Sequence, residues 1–214
     1  ADRADSRIAV ACRRGAVRAR SPSSIMPSSL SAVLLVAGHS TRMGRDKALL
    51  EIEGAPLWSR QCELLARAGA SEIFLSARSE QAWTRATKGF TALLHDSWPN
   101  SGPIAGLTAG LERATQPHLA VLAIDLPQIT AAWFAALYAA CSPGIGMVGR
   151  RGDFFEPLAA IYPREMMSLA WEALAKGEYS LQRLVSAAVA HGHLRVREIT
   201  PAEAPLFENW NEPR

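Results

Sequence analysis

The chain contains the sequence SAVLLVAGHSTRMGRDK at residues 31–47. Its first residues are aliphatic or small, which predicts a buried parallel β-strand over Ser31–Val36. The small residues that follow let main-chain N–H groups come close to a ligand, and Arg42 and Lys47 add positive charge. Because exposed amides and nearby cations stabilise anionic oxygens, the segment predicts a triphosphate-binding loop after the first strand.

The spacing of this loop matches neither of two common phosphate-binding fingerprints. It lacks the GxxxxGK[ST] pattern of P-loops and the GxGxxG pattern of dinucleotide-binding folds. A simpler interpretation is a glycine-containing turn from strand to helix with incidental charges. The loop alone therefore indicates phosphate chemistry without naming a class.

Apolar strand-like runs alternate with helical patterns along the rest of the chain, which predicts βαβ units and a mostly parallel sheet with helices on both faces. The further predicted strands are Glu72–Ala77, Phe90–Leu94 and Leu119–Ile124. The predicted helices are Pro56–Ala68, Ser79–Thr87, Ile104–Ala114 and one that begins near Thr130. The expected fold is a single α/β domain arranged as a three-layer sandwich.

Polar residues lie at the ends of three predicted strands, where open α/β sheets bind ligands. Ser76 ends the second strand, Asp96 follows the third and Asp125 follows the fourth. A single carboxylate at a strand end can hold Mg²⁺ that also takes phosphate oxygens, so Asp125 is the candidate metal ligand. The alternative for Asp125 is an N-cap for the helix near Thr130, although five residues separate the two.

Two glycines, Gly106 and Gly110, lie four residues apart in the predicted helix that begins near Ile104. A glycine inside a helix costs about 1 kcal/mol relative to alanine, so two on one face suggest that something large packs there. The residues themselves leave two interpretations open. Either the helix packs closely against the sheet, or a ligand approaches this face.

Composition and charge restrict the protein class. The 214 residues are 49% hydrophobic, enough for one substantial core. Residues 1–25 carry six Arg and two Asp, an excess of four charges against a whole-chain formal charge of +3. The remaining chain is near neutral, which argues against a nucleic-acid-binding surface.

The basic segment 1–25 has no long apolar core, so it predicts neither a secretory signal nor a membrane span. We expect it to be a disordered leader outside the domain that occupies residues 26–214. Translation starting at Met26 is the favoured explanation, and an organelle-type leader is the alternative. Cys12, Cys62 and Cys141 are odd in number and widely spaced, which indicates no disulfide framework or zinc site and favours a reducing cytoplasm.

The segment Leu35–Lys47 resembles the nucleotidyltransferase signature L-A-G-G-x-S-x-R-M-G-x-D-K. Val36 and Ala37 stand where that family has Ala and its first Gly. The continuation and later motifs are similar to molybdenum cofactor guanylyltransferase, which joins GMP to molybdopterin. The resemblance implies a Rossmann-like sandwich of the nucleotide-diphospho-sugar transferase type.

The resemblance also implies roles for individual residues. Arg42, Lys47 and Asp125 would be catalytic, with Asp125 holding Mg²⁺. For Gly106, the resemblance favours ligand approach, because the family's G-P-x-A-G-L-x-A-G segment lies beside the nucleotide base and ribose. The residues it assigns to nucleotide binding are Leu35, Val36, Ala37, Gly38, Lys47, Ser76, Asp96 and Gly106.

Motifs in the second half resemble the family's acceptor side. Glu156 begins a match to E-P-L-x-A-x-Y-P, where a turn re-enters the sheet, although it could equally be a solvated loop acid. Ser180 begins S-L-x-x-L and predicts an N-cap for the helix Leu181–Ala190. The tail resembles F-x-N-x-N-T-P, with Glu212 in place of Thr. The resemblance assigns its Asn209 and Asn211, on one face of an extended strand, to the acceptor.

The implied reaction is transfer of GMP from GTP to the phosphate of molybdopterin, with release of pyrophosphate and Mg²⁺ as cofactor. Two alternatives stay open: another small-molecule nucleotidyltransferase, such as a CTP-dependent molybdopterin cytidylyltransferase, and a non-catalytic GTP-binding relative. The resemblance allows transient contacts with molybdenum-insertion proteins or molybdoenzyme chaperones. No nucleic acid or membrane partner is expected.

Overall fold

The computed structural model describes residues 30–38, 46–95, 98 and 100–209. The predicted leader lies outside these residues. The strands are β1 (Leu30–Leu35), β2 (Glu51–Ile52), β3 (Ala55–Pro56), β4 (Ala70–Ala77), β5 (Ala92–His95), β6 (His118–Ala123), β7 (Gly146–Arg151), β8 (Phe154–Pro163) and β9 (Leu194–Glu198). The helices are α1 (Leu57–Arg67), α2 (Trp83–Ala86), α3 (Pro103–Arg113), α4 (Ala131–Ala140), α5 (Met167–Ala175) and α6 (Leu181–Ala190).

Within the described residues, seven strands form one sheet in the order β5-β4-β1-β6-β8-β7-β9. Strands β5, β4, β1 and β6 are parallel neighbours. Strand β8 is antiparallel to both of its neighbours, and β9 pairs in parallel with β7. The short strands β2 and β3 pair separately as a hairpin. The prediction of a mostly parallel α/β sheet is confirmed.

Alternate residues of β1 supply the two cores of the sandwich, as the period of a strand requires. Leu30 and Leu34 belong to the core under α1 and α4. Val33 and Leu35 belong to the core under α3, α5 and α6. Because both faces of β1 are covered, its sequence does not alternate and is apolar at every position except Ser31.

Two of the described helices, α4 and α6, begin with a side-chain cap. Ser180 accepts a hydrogen bond from the N–H of Arg183 at 3.4 Å, which confirms the predicted cap of α6. Thr130 accepts from the N–H of Trp133 at 3.3 Å at the start of α4. Each cap satisfies a main-chain donor that the first helical turn leaves unpaired. Among the described residues, no helix has both the length and the apolar character needed to cross a bilayer.

Gly146, the first residue of β7, lies against the main chain of β8. A Cβ at this position would be 2.1 Å from the carbonyl oxygen of Ile161 and 2.9 Å from Cδ of Pro163. A side-chain neighbour could rotate away, whereas a paired main-chain carbonyl cannot move without disturbing the sheet.

We therefore expect Gly146→Ala to lower the free energy of unfolding by at least about 2 kcal/mol, as overpacking against a fixed backbone does. Urea denaturation measures the change. Gly38→Ala is the matched control, because a Cβ on Gly38 would meet no atom within 4 Å. An unfolding midpoint for Gly146→Ala equal to that of the wild type would show that β7 can shift to make room.

Candidate active site

A cavity of about 1040 Å³ opens at the carboxyl edge of the parallel strands. This edge is where the dipoles and exposed amides of an α/β sheet favour ligands. Eight of the residues predicted for nucleotide, metal or catalytic roles line it together: Leu35, Val36, Ala37, Gly38, Lys47, Ser76, Gly106 and Asp125. The sheet thus gathers residues that are up to 90 positions apart in sequence.

The main chain after β1 is fixed by its neighbours on both sides. The N–H of Val36 donates to the carbonyl of Ser76 at 2.9 Å, and the N–H of Ile124 donates to the carbonyl of Leu35 at 3.1 Å. Gly38 is exposed, and a Cβ there would meet open space. Hydrogen bonds to the neighbouring strands therefore hold Leu35 and Val36 in place, and there is room for a ligand beside Gly38.

Lys47 opens a 3₁₀ turn, Lys47–Leu49, whose N-cap is Asp46. The Asp46 carboxylate accepts from the N–H of Ala48 at 3.1 Å, from Nε2 of Gln81 at 2.6 Å and from Nε1 of Trp83 at 2.7 Å. With both oxygens engaged by protein donors, Asp46 acts as an anchor for the turn. This 3₁₀ turn places Lys47 on the cavity wall.

Asp125 follows the end of β6 and lines the cavity. Burial raises the pKa of its carboxyl, and the positive charge of Lys47 lies near enough to oppose that shift. Atom Oδ1 is buried and has no hydrogen-bond partner among the described residues. Since Thr130 caps α4, the interpretation of Asp125 as the helix cap is wrong.

The carboxyl of Asp125 fits the demands of a magnesium ligand. Mg²⁺ takes one or two protein carboxylates and completes its shell with water and substrate phosphates. Asp125 lines the cavity, carries a buried acceptor oxygen without a partner among the described residues, and has a cation nearby. These properties are those of such a ligand. In the part of the chain that the structure describes, no cluster of three His, Cys, Asp or Glu side chains could hold an ion alone.

The two glycines of α3 face the sheet. A Cβ on Gly106 would lie 2.6 Å from Leu35 Cδ2 and from Ser76 Oγ, and one on Gly110 would lie 2.9 Å from Leu119 Cδ2. Close packing between helix and strands therefore explains both residues. Gly106 still lines the cavity, so its contact with a nucleotide stays a prediction.

Several cavity residues were not predicted. Arg78 follows β4, lines the cavity and donates from Nη1 to the carbonyl of Ala37 at 2.9 Å. Trp98 and Asn100 also line the cavity. The position of Arg78 directly after a strand was the available signal, and it could have been found by the reasoning that selected Ser76.

Two of the predicted acceptor residues, Glu156 and Asn209, are not part of the cavity lining. Glu156 is on β8 with a side chain 19% exposed and pairs with Arg151 at 3.2 Å, so it is not a solvated loop acid. Burial raises the pKa of the Glu156 carboxyl, and Arg151 opposes this shift. Asn209 is exposed.

The predicted extended strand of the tail begins at Phe207, and the structure describes its residues as far as Asn209. Residues Ala204–Phe207 form a 3₁₀ turn, and Phe207 is buried with its ring 5.0 Å from that of Trp133. Glu208, directly after the turn, has an extended main chain, and the extended strand at Asn209 and Asn211 stays a prediction. Arg42, Asp96 and Asn211 lie outside the described residues.

Comparison with known proteins agrees with this architecture. Residues 32–194 match the MobA-like NTP transferase domain. A probable molybdenum cofactor guanylyltransferase of Opitutus terrae is 41% identical over 189 residues, covering 87% of this chain and 92% of that protein. The molybdenum cofactor guanylyltransferase of Pseudomonas fluorescens is 31% identical over 192 residues, covering 88% and 92%.

Among solved structures, molybdopterin-guanine dinucleotide biosynthesis protein A from Archaeoglobus fulgidus aligns with a TM-score of 0.64 at 20% identity, covering 86% of this chain and 93% of that one. This likeness concerns the fold. Taken together, fold and sequence define a nucleotidyltransferase. The chain belongs to the MobA-like NTP transferase domain family.

Proposed function

We propose that the protein transfers GMP from GTP to the phosphate of molybdopterin, forming the guanine dinucleotide cofactor and pyrophosphate. The names of the two curated relatives support this reaction. The observation that carries the proposal is the juxtaposition of Lys47 and Asp125 in one cavity, close enough for the charge of Lys47 to oppose the rise that burial causes in the pKa of the carboxyl. A cation and a metal-type ligand are the groups that a triphosphate needs.

The nucleotide would lie along the carboxyl ends of β1 and β4. The main chain of Leu35–Gly38 would supply amides to the triphosphate, with the open space at Gly38 allowing close approach. Ser76 and Gly106 would lie beside the nucleoside, and the resemblance adds Asp96 to that side.

The chemistry requires positioning and charge neutralisation more than a general base. The acceptor phosphate oxygen is already anionic, so it can attack the α-phosphorus in line without losing a proton. Lys47, joined by Arg42 according to the resemblance, would stabilise the charge that develops on the pyrophosphate leaving group. Bound Mg²⁺ would supply further neutralisation of phosphate oxygens at Asp125.

The acceptor would enter from the β8 side of the cavity, where Leu158 contributes to the wall. Glu156, Asn209 and Asn211 are the proposed acceptor-binding residues. We also propose a cytoplasmic location, which suits the two described cysteines, Cys62 and Cys141. Both are free, and burial raises the pKa of each thiol to about 12.

The decisive experiment measures pyrophosphate release by the purified protein with molybdopterin, Mg²⁺ and either GTP or CTP. Turnover with GTP and formation of the guanine dinucleotide supports the proposal. Turnover with CTP alone would replace it with a cytidylyltransferase. Tight GTP binding without product would indicate the non-catalytic relative.

Gly38→Ala tests whether phosphates approach the main chain at this point. The protein itself has room for the methyl group, so the melting temperature should stay at the wild-type value. A methyl group between the amides and the phosphates should raise the dissociation constant for GTP by about tenfold, equivalent to about 1.4 kcal/mol. Calorimetric titration measures it, and unchanged GTP affinity would place the triphosphate elsewhere in the cavity.

A further inference from the structure

Gln81 has a buried side chain whose polar atoms all bind protein groups. It is 5% exposed. Its Nε2 donates to the carbonyl of Val36 at 2.9 Å and to Oδ2 of Asp46 at 2.6 Å. Its Oε1 accepts from the N–H of Arg78 at 2.8 Å. One amide therefore joins three separate segments of the chain.

Two of those segments are the two ends of the predicted triphosphate-binding loop at residues 36–47, called the motif below. Val36 directly follows β1, and Asp46 caps the turn that carries Lys47. They are ten positions apart in sequence, and Gln81 bonds to both through the same nitrogen. The position of Lys47 relative to the end of β1 is thus set by a residue that belongs to neither segment.

The surrounding contacts make this link rigid. Trp83 Nε1 donates to the same carboxylate oxygen of Asp46 at 2.7 Å. Arg78, whose N–H is held by Gln81, donates from its guanidinium to the carbonyl of Ala37 at 2.9 Å. The stretch after β4 therefore holds both the start and the end of the motif through side-chain hydrogen bonds.

We propose that Gln81 is a positioning residue for nucleotide binding and turnover, because it fixes the spacing between the main chain at Val36 and the ammonium group of Lys47. Both amide hydrogens are committed to protein oxygens, so Gln81 acts through these two elements. The inference rests on the proposed function of the cavity. Small displacements of a positioned cation cost catalysis heavily, since charge stabilisation depends on preorganised distance.

The chemistry of this position requires an amide. Glutamate would keep an acceptor for the Arg78 N–H but would offer no donor, and its charge would face the carboxylate of Asp46. Methionine would fill a similar volume and satisfy none of the three partners. Removing a buried partner also lowers stability, so the test must separate positioning from folding.

The test compares Gln81→Met and Gln81→Glu with Thr84→Val. Thr84 is 2% exposed on the same stretch, and its hydroxyl donates to the main-chain carbonyl of Gln81 at 2.8 Å. The melting temperature of each variant is measured first. We then measure, below that temperature, the GTP affinity without acceptor, kcat, and KM for GTP and for molybdopterin.

Both Gln81 variants should raise the dissociation constant and KM for GTP by about tenfold and lower kcat, while KM for molybdopterin stays within about twofold of wild type. Thr84→Val should lower the melting temperature and leave GTP affinity unchanged. Wild-type GTP affinity and kcat/KM in either folded Gln81 variant would overturn the inference. So would an equal loss of GTP affinity in Thr84→Val.

The binding measurement keeps this inference separate from the proposed reaction. If the wild-type protein binds GTP but transfers no GMP, the proposed function fails, and the GTP affinities still decide the role of Gln81. If the wild type uses CTP, the same comparison is made with CTP. A selective loss of nucleotide affinity in both Gln81 variants supports the positioning role in either case.

Discussion

Asp125→Asn is expected to lower kcat by on the order of 100-fold or more, equivalent to about 2.7 kcal/mol, while the protein stays folded. Asparagine preserves the size of the side chain and removes the charge that would hold Mg²⁺. Activity of the variant should also require more Mg²⁺. Steady-state kinetics over a magnesium titration measures both effects.

Although Asp125→Asn should lower activity, we expect it to maintain or raise the stability of the fold. Burial raises the pKa of the Asp125 carboxyl, so folding disfavours its ionised form. The wild type therefore loses stability as the pH rises through the folded-state pKa, and the variant has no such loss. At pH 7 the variant should melt at or above the wild-type temperature, and the difference should shrink as the pH falls toward 4.

Two results would contradict this reading of Asp125. A variant that melts far below wild type would make the carboxylate a structural residue of the strand end. A folded variant with full activity at ordinary Mg²⁺ would mean that the metal is held elsewhere, with Asp96 as the next candidate.

Lys47→Ala is expected to lower kcat/KM for GTP by a factor that corresponds to a loss of about 2–4 kcal/mol of transition-state stabilisation. This is the range seen when a preorganised charge stabiliser is removed. Its ammonium should contact the triphosphate before and during the reaction, so both nucleotide affinity and turnover should fall. Kinetics and calorimetric titration with GTP separate the two contributions.

Lys88→Ala provides a control for Lys47→Ala, because Lys88 is an exposed lysine away from the cavity wall. It removes the same formal charge from the protein and should leave kinetics unchanged. Lys47→Arg should recover part of the activity, since it keeps the charge but not the shape of the group. If Lys47→Ala had wild-type kinetics, the proposal that the loop ending at Lys47 binds the triphosphate would be wrong.

The central strands were predictable because they carry a strong signal. Strands β1 and β6 lie within one residue of their predicted bounds, since a strand covered on both faces has a nearly continuous apolar run. The predicted helix Ser79–Thr87 shrinks to Trp83–Ala86. The side chain of Gln81 binds the N–H of Arg78 and its main-chain N–H binds the Arg78 carbonyl, which forms a turn where a helix was expected.

The candidate site was predictable only where residues follow strands or match a motif. Asp125 comes shortly after the end of β6 and Ser76 is the second-last residue of β4, and both line the cavity. The function of Gln81 depends on partners 35 and 45 positions away, which no local pattern reveals. The sequence likewise could not decide whether Gly110 faces a ligand or the sheet, because that depends on the neighbouring Val33 and Leu119 side chains.

Strand β8 runs against β6, with His118 paired to Pro163 and Leu122 paired to Ala159. An antiparallel strand begins at the edge where its neighbour finishes, so the β7–β8 hairpin lies at the same edge as Asp125. The proposed nucleotide residues all precede this hairpin in the chain. Insertions or deletions in the hairpin can therefore reshape the rim of the cavity without changing the register of β1, β4 and β6. The topology thus separates the proposed acceptor residue Glu156, which lies on this hairpin, from the parallel strands that carry the proposed nucleotide residues.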